Sequence, residues 1–118
     1  MQYLLLIHGD EAGPNAATPA NSNGMSPEFA AYNEAMTKAG IMLGGNRLRP
    51  TSAARSVRVK DGKTEIIDGP YSDTKEQLGG YYMIDVPDLD QAVAWAARCP
   101  AAKVGTVEVR PIWPTDGR

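Results

Sequence analysis

Tyr3-Leu4-Leu5-Leu6-Ile7 is an unbroken apolar run near the start of the chain. At five residues it is far too short to cross a bilayer, and it lacks the flanks of a secretion signal. An uninterrupted run of this length reads as a central strand, covered on both faces and paired on both edges. A strand of that kind needs other strands beside it and helices above it. His8-Gly9-Asp10-Glu11 ends the run.

The remaining elements follow from local chemistry. Residues 12–25, small and polar with two prolines, read as a long loop. Ser26, Pro27 and Glu28 form a helix start, with a capping hydroxyl, a proline in the first turn and an acid at the positive end of the dipole. Phe29, Tyr32, Met36 and Ala39 recur at helical spacing, and Gly40 closes the helix. Ile41-Met42-Leu43 opens a second strand, which Gly44-Gly45 bends. Residues 56–67 spell a hairpin around Asp61-Gly62. Pairing outward from that turn sets Val57 opposite Ile66, Val59 opposite Thr64 and Arg58 opposite Glu65, giving one apolar and one wet face. Tyr81 to Val86 is a further strand. Asp88 caps a second helix with Gln91 in capping-box position, and Leu89, Ala92, Val93 and Ala96 are expected on its buried stripe. Thr106 onward, with Val107 and Val109 alternating, is the last strand.

The order is strand, helix, strand, inserted hairpin, strand, helix, strand. This is an α+β chain with the split β-α-β arrangement of ferredoxin-like folds, expected as one domain over residues 1–118. Two helices cover one sheet face only. The other face calls for a second subunit, so a homodimer is expected.

Charge and cysteine usage exclude several classes. A formal net charge of −2 leaves no basic face for nucleic acid. One cysteine and one histidine cannot make a zinc site or an internal disulfide, so no metal or cofactor is expected and the cytoplasm is the default location.

The densest polar stretch is DGPYSDTKEQLGG, residues 68–80. It is much longer than a turn requires. Asp73, Lys75 and Glu76 in it are candidates for a site. His8, the sole histidine, is a candidate general base at a strand end, with Asp10 as its orienting carboxylate. Lys75 or Glu76 could share that chemistry. Arg47 could hold an anionic group, and Tyr82 could offer a hydroxyl to a ligand, although Tyr81 and Tyr82 must face opposite ways. Antiparallel neighbours place the exit of one strand beside the start of the other, so His8 and the 68–80 loop are expected to meet at one end of the sheet.

The segment DGPYSDTKEQLGGYYMIDVPDLDQAVAWAARCP, followed by GTVEVRPIW, resembles the DGPF-type branch of the YCII-related proteins, as do YLLLIHGDE and AGIMLGGNRLRP. The resemblance implies a ferredoxin-like subunit and a dimeric α+β barrel. It implies no settled activity. Some relatives are encoded beside, or fused to, sigma factors of the extracytoplasmic-function class, and one related member is linked to dehalogenation of a chlorinated aromatic. More distant members carry a helix-1 histidine and an aspartate near the end of helix 2. The matching positions here are Phe29 and Cys99, so that dyad does not carry over. Three functions follow as expectations: a small-molecule-binding homodimer with its cleft near His8 and the 68–80 loop, a lyase or hydrolase of small organic acids, and a regulatory partner of a sigma factor.

Overall fold

A computed structural model of the chain describes residues 1–11, 26–72 and 74–114. The expected 12–25 loop lies outside them. The described chain is α+β. In order it contains β1 (Gln2–Gly9), α1 (Pro27–Lys38), β2 (Met42–Arg47), β3 (Arg55–Lys60), β4 (Lys63–Asp68), β5 (Gln77–Asp85), α2 (Leu89–Arg98) and β6 (Thr106–Pro111). Single 3₁₀ turns at Thr51–Ala53 and Pro100–Lys103 precede β3 and β6.

The apolar run is central, as its composition demands. The main sheet has the order β2-β5-β1-β6, and every pairing in it is antiparallel. β1 therefore lies between β5 and β6. Alternation splits its side chains between two faces. Tyr3 and Leu5 are buried and Ile7 packs beside them, together with Tyr82, Ile84, Val107 and Val109 from the neighbouring strands. Leu4 and Leu6, on the opposite face, are only partly buried. The expectation of burial on both faces thus holds for one face within a single chain. The two helices lie on that face alone.

The helices form where the capping chemistry predicts. The Ser26 hydroxyl accepts from the Phe29 amide at 3.3 Å, and an Asp88 carboxylate oxygen accepts from the Gln91 amide at 2.9 Å. Tyr32 and Met36 are the buried residues of α1, and Phe29 packs at the margin. Ala39, expected on that face, is instead the exposed C-terminal cap. In α2 the buried stripe is Ala92 and Ala96, continued by Cys99. Leu89 and Val93 stand outside it, half exposed. Small residues face the sheet, and the larger aliphatics are turned outward.

Tyr32 and Tyr82 meet edge to face, with ring centroids 5.6 Å apart, and the Tyr32 hydroxyl donates to the Trp95 carbonyl at 2.7 Å. Burial pushes both phenols upward, Tyr82 from 10.0 to about 12. The same desolvation raises the buried Cys99 thiol.

The hairpin register agrees with the turn chemistry. Asp61 and Gly62 both have positive φ, at 52° and 77°, as a two-residue turn of primed type requires. Val57 stands opposite Ile66, Arg58 opposite Glu65 and Val59 opposite Thr64. β3 and β4 pair with each other and form a sheet of their own. The expected apolar face exists, but no other described residue covers it: Val57, Val59 and Ile66 are all exposed.

Two predictions follow from this packing. The fold holds Tyr82 as a neutral phenol, whereas an unfolded chain ionises its tyrosines from about pH 10. Stability is therefore fully present below pH 10 and declines as pH rises toward 12. Urea unfolding at pH 9 and pH 11 should show this decline, and Tyr82→Phe should make it shallower. The second prediction concerns Gly105. A Cβ built there would overlap the His8 carbonyl oxygen and lie 3.1 Å from the Gly9 Cα, both rigid backbone at the end of β1. Gly105→Ala should cost about 1–3 kcal/mol in urea unfolding, because β6 must move away from the end of β1.

Candidate functional site

The open face of the sheet is arranged in rows set by register. One row runs Glu108, Leu6, Tyr81, Asn46 across β6, β1, β5 and β2. The next, toward the end of β1, runs Thr106, His8, Leu78. The row on the other side begins Arg110, Leu4, Met83. An apolar centre is thus flanked by polar side chains on both edge strands. At the β2 side the Asn46 amide donates to the Tyr81 hydroxyl at 2.9 Å.

His8 stands at the polar end of this face. Its Nε2 is shielded from solvent and has no hydrogen-bond partner among the described residues. Glu108 Oε1 lies 3.8 Å from it, and the other Glu108 oxygen is held by Arg110 two residues along the same strand. A shielded nitrogen without a partner is costly unless something else satisfies it. The Glu108 carboxylate thus stands within reach of this nitrogen as a potential acceptor.

The 68–80 loop reaches the same end. Glu76 Oε1 accepts from the Thr106 hydroxyl at 2.8 Å, and Thr106 is the cross-strand neighbour of His8. The loop is also pinned internally. The Thr74 hydroxyl donates to the Glu76 carbonyl at 2.7 Å, and the Gln77 amide donates to the Thr74 carbonyl at 2.8 Å. The Gln77 side-chain oxygen accepts from the Glu11 amide at 3.1 Å. The Glu11 carboxylate in turn accepts from the Thr51 amide, at 3.2 and 3.1 Å, and from the Thr51 hydroxyl. One glutamate therefore ties the exit of β1 to the root of the hairpin, and its own backbone ties that exit to the loop.

The sequence candidates fall in different places. His8 and Glu76 come together through Thr106. Lys75 is exposed beside them on the loop. Asp10 is exposed past the end of β1, and the carboxylate oxygen within ion-pair distance of His8 belongs to Glu108. Arg47 ends the edge strand β2 opposite Gly80, in the row that alternation assigns to the helix side. Tyr82 is buried against Tyr32 on the helix face, and Tyr81 is the tyrosine that shares a face with His8. Asp73 lies outside the described residues. Phe29 and Cys99, at the dyad positions of distant relatives, are core-packing residues on the helix side.

Glu108 and Glu11 carry no local sequence signal that marks them as site residues. Glu108 sits in Val107-Glu108-Val109, where alternation already turns it away from the core. Its pairing with His8 depends on the β1–β6 register, which no local pattern encodes. A separate open groove of about 530 Å³ lies between α1 and the Pro100–Lys103 turn, with Tyr32, Arg98 and Lys103 among its walls. His8 is not part of it. Among the described residues no group of three His, Cys, Asp or Glu side chains could hold a metal ion, and no helix is long and apolar enough to cross a membrane.

The chain is similar in sequence to an uncharacterised protein of Rhizobium meliloti (strain 1021), with 35% identity over 114 residues, covering 95% of this chain and 92% of that protein. The YCII-related domain matches residues 1–116. With that match spanning both helices, the hairpin and every strand of the open face, the chain belongs to the YCII-related family.

Proposed function

We propose that the chain is a ferredoxin-like subunit of a homodimeric α+β barrel, of the DGPF-type branch, that binds a small organic molecule at the His8 end of its open sheet face. The observation that carries this reading is the convergence of two polar stretches, remote in sequence, on one sheet end. His8 stands beside Glu108, and Glu76 bonds the cross-strand neighbour of His8. A loop that only turned the chain would not need the Glu76–Thr106 contact. The strand order β2-β5-β1-β6, with helices on one face, supports the ferredoxin-like reading. Leu4, Leu6 and Met83, partly buried with no described helix above them, support a second sheet stacked on the first. Asp68-Gly69-Pro70-Tyr71 supports the branch, and the single buried Cys99 suits a reducing cytoplasm.

In the proposed cleft His8 and Glu108 bind polar groups, and Lys75 and Glu76 close the rim. Leu4, Leu6 and Met83 form an apolar floor. The same His8–Glu108 contact favours a second reading, in which His8 draws a proton from a small organic acid in lyase or hydrolase chemistry. None of the surfaces described above favours a sigma-factor partner.

Two measurements test the proposal. Sedimentation velocity at micromolar concentration should give a dimer, and a monomer would defeat the barrel. Binding can be read from the imidazole resonances of the sole histidine while small carboxylates, phenols and amines are titrated. At least one class should shift the His8 signals. Lys75→Ala with Glu76→Ala should weaken that binding by about tenfold or more while leaving Tm within about 2 °C, as surface changes do. A Tm loss well beyond that, with binding retained, would mean that the loop serves the fold alone.

A further inference from the structure

Among the described strands, the β3–β4 hairpin carries an exposed apolar surface. Val57, Val59 and Ile66 share one face and are 64%, 67% and 66% exposed. Val57 stands directly opposite Ile66, and Val59 is two residues along, so the three form one patch. A two-stranded hairpin is marginal in water on its own. Among the described residues, this one is secured mainly at its root, with Arg58 also set over the Tyr71 ring. Ser56 donates to the Gly69 carbonyl at 2.9 Å, the Gly69 amide donates to the Ala54 carbonyl at 2.8 Å, and Arg55 pairs with Asp68 at 3.1 Å. Toward the tip Lys60 faces Lys63, a like-charged cross-strand pair that costs stability unless acids approach it. A contiguous apolar patch with a basic end marks an interaction surface.

Every copy of this chain presents a surface with the complementary properties. The open face of β1 and β5 offers Leu4, Leu6 and Met83, incompletely buried, and its His8 end is bordered by the carboxylates of Glu76 and Glu108. The hairpin does not reach its own copy of that face, since its apolar residues remain exposed. We propose that the hairpin is an arm that crosses to a second copy of the chain. Its apolar face lies along the mouth of the cleft between the two sheets, and Lys60 and Lys63 approach the Glu76–Glu108 corner of that copy. The inference rests on the dimer proposed above and adds that each cleft is closed by the other subunit. Two-fold symmetry buries both arms in one exchange.

Val57→Thr, Val59→Thr and Ile66→Thr, combined in one variant, keep the branched shape and strand preference while removing apolar surface. In the single chain these positions are exposed, so the subunit should fold as before, with an unchanged far-ultraviolet circular dichroism spectrum. Sedimentation equilibrium should show the dimer dissociation constant rising by about 100-fold or more, since both arms lose their contact. Lys60→Glu with Lys63→Glu should raise it by about tenfold, less at high salt, and carries the same test if the threonine variant fails to fold. A wild-type dimer whose constant neither variant changes would overturn the arm while leaving the dimer in place. That result would assign the patch to a different partner. A wild-type monomer at tens of micromolar would overturn both.

Discussion

The double pairing of β1 is the constraint on which the rest depends. One strand shares its hydrogen bonds with β5 on one side and β6 on the other. That single arrangement puts Tyr3 and Leu5 under the helices and leaves Leu4, Leu6 and His8 on the opposite face. It also decides what surrounds the end of β1. β5 begins there and β6 begins there, so the loops that lead into both must arrive at His8. The polar corner is a consequence of antiparallel topology before it is a consequence of any particular side chain.

Much of this was legible in the residues because the signals were local. Asp61-Gly62 accepts positive φ at two successive positions, and that alone determines the hairpin register. Ser26 and Asp88 cap the helices as their side-chain chemistry requires. The meeting of the two polar stretches could be reasoned from strand order. What escaped were contacts made across strands. Asp10 is the carboxylate nearest His8 in sequence, whereas Glu108, a hundred residues away, stands 3.8 Å from it across the β1–β6 pairing. Tyr81 and Tyr82 could be assigned to opposite faces by alternation, but not which face belonged to which. Leu89 and Val93 fitted the helical period, yet α2 buries Ala92 and Ala96 and leaves Leu89 and Val93 half exposed.

The 68–80 loop serves structure and site together. Gln77 and Thr74 hold the loop to itself and, through the Glu11 amide, to the end of β1. Glu76 is left to bond Thr106 on the neighbouring strand. The Glu11 carboxylate also fastens Thr51, so the root of the hairpin and the rim of the polar corner share one anchor. Anything that pulls on the hairpin therefore pulls on the same residue that steadies the loop.

The irregularity between Ile7 and His8 has a consequence of its own. β1 passes from Ile7 to His8 while its partner passes from Gly80 to Leu78, leaving Gly79 as an extra residue in β5. Side chains on a strand alternate, so one inserted residue inverts the parity of everything before it. With Gly79 present, Leu78 shares the open face with His8. Were Gly79 paired opposite His8 instead of bulged out, Leu78 would turn beneath the helices, and Glu76, two residues earlier, would follow. A residue with no side chain thus acts as a parity bit, deciding on which side of the sheet the acidic end of the loop is displayed.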